Sequence, residues 1–215
     1  MRWWFPLFLF TLFAPFSAEM DLAVSRYFYV EGHFSSYPLF LFMYHYGYLI
    51  GNIVACAAAV VLVGSYLVKR WKKWRSPALL LVLTMLVGAV VISHAIFKDN
   101  WGRPRPKQVE EFGGLQQFRP FYEPNFSSPE PSKSFPCGHC TTGFFFFALA
   151  LIGKRMGNTN LTAVGFVLAV VLGGLLSLTR IAQGGHFLSD TLASALIMWY
   201  TALLCDWLIY SEKLP

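Results

Sequence analysis

Charge is scarce in this chain. Only 13% of its 215 residues are Asp, Glu, Lys or Arg, about half the share of an average soluble domain. That shortage excludes a disordered chain, a coiled coil and an ordinary soluble enzyme. It also leaves too little polar sequence to build a large second domain beside a membrane anchor. Cysteine is scarce too: Cys56, Cys137, Cys140 and Cys205 make no dense disulfide framework. Internal repeats and low-complexity linkers are lacking. Apolar residues are abundant, with 56% hydrophobic, 18% aromatic and a mean hydropathy of +0.50. Residues 1–215 therefore read as a single integral membrane domain.

Apolar runs near the length that crosses a bilayer are Trp3–Ala18, Tyr46–Val68, Pro77–Phe97, Thr141–Ile152, Leu161–Leu178 and Thr191–Tyr210. They predict an all-α bundle of six transmembrane helices, because an open strand cannot satisfy its backbone in lipid. The fourth run is short and spans only if its helix starts near His139 and reaches about Met156. The first run has a second reading as a cleaved signal peptide, against which Phe16 stands where a small residue is wanted. Met20, Val24, Tyr27, Phe28 and Glu31 follow helical spacing and predict a short helix lying in the outer interface. The net charge of +6 would point a soluble protein toward nucleic acid. Here Lys69, Arg70, Lys72, Lys73 and Arg75 form one block between two apolar runs, which is a topology signal. No nucleic-acid partner is expected. With Arg2, Lys154, Arg155 and Lys213 that block puts both termini in the cytoplasm. The opposite side receives residues 98–138, whose bases Lys98, Arg103, Arg105, Lys107, Arg119 and Lys133 break the simple charge rule. Five acids share that loop: Asp99, Glu110, Glu111, Glu123 and Glu130.

Three polar clusters fall at the outer ends of apolar helices. They are Lys98 through Pro106, then Pro136-Cys137-Gly138-His139, then Thr179-Arg180 followed by His186 and Asp190. Ionisable groups at membrane depth are costly and usually functional. Lys98, Arg105 and Arg180 are cationic donors suited to a dianionic, multi-oxygen ligand such as phosphate. Gly138 allows close backbone approach, and the start of the fourth helix would aim peptide N–H groups at an anion. His186 and Asp190 are four apart, so one helical turn sets the carboxylate against the imidazole and orients it as a nucleophile or base. His139 is then free to protonate a leaving alkoxide. Together these parts describe metal-free phosphoryl transfer through a phosphohistidine, with no cofactor.

The clusters resemble the three signature motifs of the type 2 phosphatidic acid phosphatase family, which also includes vanadium haloperoxidases. That pattern is Lys-x6-Arg-Pro, Pro-Ser-Gly-His and Ser-Arg-x5-His-x3-Asp. It is met at Lys98, Arg105 and Pro106; at Pro136, Gly138 and His139; and at Arg180, His186 and Asp190. The resemblance implies His186 as nucleophile, Asp190 as its orienter and His139 as general acid. Lys98, Arg105, Arg180 and Gly138 would hold the phosphate. Two positions depart from the pattern. Cys137 replaces the family serine, a weaker hydrogen-bond partner whose backbone N–H would carry most of the phosphate contact. Thr179 replaces the other serine and keeps its hydroxyl. Arg103-Pro104 duplicates the Arg-Pro dipeptide two residues early; spacing favours Arg105 as the phosphate ligand. His33, His45 and His94 match no motif and read as packing or interfacial residues, with His94 one turn before Lys98.

Cys137-Gly138-His139-Cys140 also spells the CGHC of thiol-disulfide oxidoreductases. Pro136 before it and the Phe144–Phe147 run after it do not provide the soluble context such a site needs. A zinc site there is cramped and lacks an evident fourth ligand. A reversible Cys137–Cys140 disulfide stays open. The family resemblance implies a lipid phosphate or diphosphate substrate in a bacterial inner membrane, with the site facing the periplasm. Lipid A 1-phosphate leads, followed by undecaprenyl diphosphate, phosphatidylglycerol phosphate and phosphatidic acid. Phosphate transfer between lipids is a reading of another class.

Overall fold

A computed structural model describes residues 3–127 and 132–211. Arg2, Lys213 and Glu130, used above for sidedness and loop charge, lie outside the described residues. The chain is mostly helical. α1 (Phe5–Phe13) and α2 (Ser17–Phe28) run on through one tight turn. α3 (Pro38–Phe42) continues through a wide π-helical turn at Met43–Gly47 into α4 (Tyr48–Leu67). α5 (Arg75–Leu83) continues into a π-helical stretch, Thr84–Lys98. α6 (Gly138–Phe144), α7 (Phe147–Arg155), α8 (Thr159–Ala182) and α9 (Leu188–Ser211) complete the bundle.

Among the described residues five helices are long and apolar enough to cross a membrane: Phe5–Phe28, Pro38–Leu67, Lys69–Lys98, Thr159–Ala182 and Leu188–Ser211. The expected fourth span is broken into α6 and α7, each too short alone. At the break the N–H groups of Phe146 and Ala148 donate to the carbonyls of Gly143 and Phe145, three residues back, at 3.4 and 3.0 Å, so the winding tightens there. These two pieces are the most enclosed part of the molecule. Phe145, Ala148 and Cys140 are fully buried, packed with Leu176, Met198 and Ala202 from α8 and α9.

Close approach of α8 to this broken helix requires missing side chains. A Cβ on Gly143 would lie 2.6 Å from the backbone of Gly173, and one on Gly165 would lie 2.3 Å from the backbone nitrogen of Ala150. In lipid, where apolar exposure drives little, such backbone proximity is a main source of helix association. α7 turns back into α8 at Gly157, with φ of 63°. There the Asn158 side chain caps α8 by accepting the Leu161 N–H at 2.9 Å.

The expected interfacial helix is a correction. Ser17–Phe28 continues α1 rather than lying apart, and Ser17, Asp21 and Ser25 are buried while Met20 and Tyr27 are exposed. The polar stripe, not the apolar one, faces the bundle. Glu31 is outside the helix altogether, at φ 53° in the turn of a small hairpin, β1 (Tyr29–Val30) and β2 (His33–Phe34). Over this end of the bundle the described residues of the loop from Asp99 to Phe135 form a cap. Trp101 stacks on Phe135 at 5.1 Å, and Val109, Phe112 and Phe187 form a second small core with the hairpin's Tyr29 and Phe34.

Candidate active site

The three motif clusters meet at one end of the bundle. Lys98 ends the π-helical stretch, whose wide winding sets His94 and Lys98 along the same cavity. A Cβ on Gly138 would lie 2.7 Å from His94 Nε2 and 3.2 Å from Lys98 Nζ. The bare Cα thus lets the His94 ring and the Lys98 ammonium both reach the start of α6. Ser194 of α9 ties the second motif to the third. Its hydroxyl accepts the Cys137 N–H at 2.9 Å and approaches the carbonyls of Cys137 and Asp190 at 3.1 and 2.8 Å.

After α8 the chain turns tightly, with the N–H groups of Gly185 and His186 both donating to the Arg180 carbonyl at 2.9 and 3.2 Å. A Cβ on Gly185 would sit 2.2 Å from Arg180 Nη2, so the guanidinium lies across the bare glycine. Arg180 also stacks its guanidinium 4.7 Å from the Tyr44 ring centre, and its Nη1 donates to Gln183 at 2.9 Å. Its Nε is buried and has no hydrogen-bond partner among the described residues. Lys98, Arg105 and Arg180 lie within electrostatic reach of one another, a concentration of positive charge that a phosphate dianion would relieve.

His186 is 1% exposed. Its Nδ1 faces Asp190 Oδ2 at 3.6 Å, close for an ion contact and long for a hydrogen bond. Burial pushes the imidazole down to about 3, against the raising influence of Asp190, so the ring is neutral at ordinary pH. With Nδ1 turned to the carboxylate, Nε2 carries the free lone pair. Asp190 is itself held on several sides. Ser134 Oγ donates to Oδ2 at 2.6 Å, the Phe187 N–H donates to Oδ2 at 2.9 Å, and Arg103 Nη1 donates to Oδ1 at 2.5 Å.

His139, the second residue of α6, is half-buried between two tyrosines. Tyr44 stacks on it at 5.0 Å with planes 17° apart, and Tyr48 meets it edge-on at 5.1 Å. Tyr44 therefore touches both His139 and Arg180. A cavity of about 610 Å³ opens from Lys98, His94 and His139 down between α4 and the Thr84–Lys98 stretch, where Met85, Ala89 and Val90 line it. A larger groove of about 710 Å³ lies beside the basic block, lined by Trp71, Trp74 and apolar residues, and holds none of the three motifs.

Cys137 does not fit the phosphate-binding role expected for it. Its sulfur is bridged to Cys140, its N–H is taken by Ser194, and it is fully buried. The disulfide left open by the sequence is present in the structure. Arg103 also differs from a surplus base. It is fully buried and bound to Asp21 and Asp190, while the half-buried Arg105 stays with Lys98 and Arg180. Reasoning from the sequence missed Asp21, Ser134, Ser194 and Tyr44. For Asp21 no local signal existed: it lies past the Trp3–Ala18 run, with Glu19 and Arg26 nearby.

Among known families, the PAP2 superfamily matches residues 77–213, more than half of the chain. The chain belongs to the PAP2 superfamily. It is 34% identical over 154 residues to a lipid A 4'-phosphatase of Francisella tularensis subsp. novicida, covering 71% of this chain and 67% of that one. A lipid A 1-phosphatase of Rhizobium johnstonii is 35% identical over 110 residues, 50% of this chain and 39% of that one. A lipid A 4'-phosphatase of Rhizobium leguminosarum is 29% identical over 126 residues, 56% of this chain and 48% of that one. The chain thus spans about two thirds of the Francisella protein and less than half of these two Rhizobium proteins. No solved structure matches it. Family and relatives make this PAP2 protein a phosphatase, a hydrolase with helices of membrane-spanning length.

Proposed function

We propose that this PAP2 protein removes a phosphate from lipid A through a phosphohistidine on His186. The observation that carries the mechanism is convergence. A neutral, carboxylate-backed imidazole shares one site with three cations: Lys98 at the end of the π-helical stretch, Arg105 in the loop after it and Arg180 in the last turn of α8. Lys98, Arg105 and Arg180 hold the phosphate oxygens and spread the charge that grows on them in the transition state. His186 Nε2 attacks phosphorus, the bond to the leaving oxygen breaks, and His139, carrying a proton taken up as the phosphate dianion settles among the cations, gives that oxygen its proton. Water then attacks the phosphoryl group, the N–P bond breaks, and His139 takes up the water's proton.

The substrate reading rests on the relatives. They include enzymes for both lipid A phosphates, and the one matched over 71% of this chain is a 4'-phosphatase. This moves the lead from the 1-phosphate to the 4'-phosphate, with the 1-phosphate second. Undecaprenyl diphosphate, phosphatidylglycerol phosphate and phosphatidic acid follow. The cavity between α4 and the Thr84–Lys98 stretch supports a substrate whose phosphate stays at the headgroup level while its chains run into the membrane. We further infer that α6 and α7 together form a sixth crossing. The site would then face the periplasm and the basic block the cytoplasm of a bacterial inner membrane.

The deciding experiment incubates purified protein with bisphosphorylated lipid A and fragments the product in a mass spectrometer. Loss of the 4'-phosphate is expected from wild type and none from His186→Ala. Loss of the 1-phosphate alone would move the assignment to the other position. Turnover by His186→Ala would remove the phosphohistidine.

A further inference from the structure

Asp21 takes no part in the chemistry described above and lies outside the residues that match the family. Yet it is wired into the site. Its side chain is fully buried. Oδ2 accepts Arg103 Nη2 at 2.7 Å and Ser189 Oγ at 2.6 Å, while Oδ1 accepts the Ser189 N–H at 2.8 Å. Arg103 has no exposed side-chain surface either. Its Nη1 reaches Ser189 Oγ at 2.8 Å and Asp190 Oδ1 at 2.5 Å, and its Nε donates to the Arg119 carbonyl at 2.9 Å. The guanidinium thus sits between two carboxylates, one on the N-terminal helix and one on the last. Phe187 covers its face at 4.5 Å.

From this geometry we infer that Asp21 is a positioning residue for the nucleophile, acting through Arg103 and Ser189 on Asp190. The inference rests on the reading of His186 as that nucleophile. Three consequences follow from the contacts. First, Arg103 occupies Asp190 Oδ1, which leaves Oδ2 as the oxygen facing His186. A carboxylate with one free oxygen could rotate; one bridged at both cannot. Second, Asp21 fixes Arg103 from behind and ties down Ser189 at the start of α9, one residue before Asp190. Third, Asp21, Arg103 and Asp190 sum to one negative charge. A buried surplus charge is costly unless something opposite forms beside it. An imidazole carrying both a proton on Nδ1 and a phosphoryl group on Nε2 is that opposite charge. Without Asp21 the Arg103–Asp190 pair is neutral, and the phosphohistidine faces no net counter-charge.

The test uses the full-length protein in mixed micelles with lipid A. Asp21→Asn keeps the shape and removes the charge. Its kcat is expected to fall about tenfold or more, as for outer partners of other functional imidazoles. KM and inhibition by inorganic phosphate should hold within about threefold, because the phosphate cradle is untouched. Asp21→Glu, which restores the charge, should recover part of kcat. A merely structural role would move kcat and phosphate affinity together and would not be rescued by charge. That result, or wild-type turnover in Asp21→Asn, would overturn the assignment. If Asp21→Asn does not yield folded protein, Ser189→Ala carries the test. It cuts one bridge while keeping every charge, and unchanged kcat there would equally sink the idea. His186→Ala is run alongside. If it is dead and Asp21→Asn is normal, only the Asp21 assignment falls; if it turns over, both fall.

Discussion

At the scale of single residues, the site depends on how a few rings and charges are enclosed. His186 is held neutral by burial at about 3, against an ordinary value near 6.5. As pH falls below about 6.5, the unfolded chain takes up that proton while the folded chain does not. Stability is therefore expected to fall as pH drops from about 6.5 toward 4.5, and His186→Gln should lessen that slope in thermal unfolding. A steeper slope in the variant would contradict it. Tyr44 offers a separate check. Its ring contacts both His139 and Arg180, so Tyr44→Phe should keep most turnover. Tyr44→Ala should lose about tenfold, in line with the sensitivity of catalysis to misplacement. Equal activity in the two variants would show that the ring does not align those groups.

At the scale of helices, two ties are open to test. Arg155 of α7 grips Asp206 of α9 with Nε at 3.0 and 3.2 Å and Nη2 at 2.7 Å, at the end of the bundle away from the motifs. Arg155 remains 45% exposed, so solvent weakens the pair. Asp206→Asn should lower stability by about 1 kcal/mol while leaving kcat unchanged. The fold also brings Cys137 and Cys140 together across the first turn of α6 and leaves Cys56 and Cys205 as thiols. Alkylation of the denatured, unreduced protein should modify two cysteines, and four after reduction. Four modified sites without reductant would contradict the bridge.

For the whole molecule, sidedness follows from the number of crossings. Leu115 is 95% exposed in the cap above the site, and Trp71 lies in the basic block that opens the Lys69–Lys98 helix. In a Cys56→Ser background, a membrane-impermeant maleimide should label Leu115→Cys in intact cells and Trp71→Cys only after permeabilisation. The reverse pattern would invert the orientation. Six apolar runs read as crossings, and among the described residues five helices are of sufficient length. The broken α6–α7 was less legible, because its boundary depends on three-residue backbone hydrogen bonds and on glycine contacts with α8. Neither leaves a mark in hydropathy. Which face of α2 is buried was not legible for a related reason. Helical spacing reports that two faces differ, but in a membrane protein it does not tell which face meets the bundle.

The amino-acid order alone was enough for the membrane class, the family resemblance and most residues of the proposed site. Those properties depend on composition and on spacing within short segments, where one helical turn links His186 to Asp190. Packing in three dimensions settled the rest. Arg103 was diverted from the anion to two carboxylates, Cys137 was withdrawn into a disulfide, and Asp21 was joined to Asp190 from 169 positions away. Buried charges must find partners wherever the fold provides them, and partners far apart in a chain leave no local pattern to read.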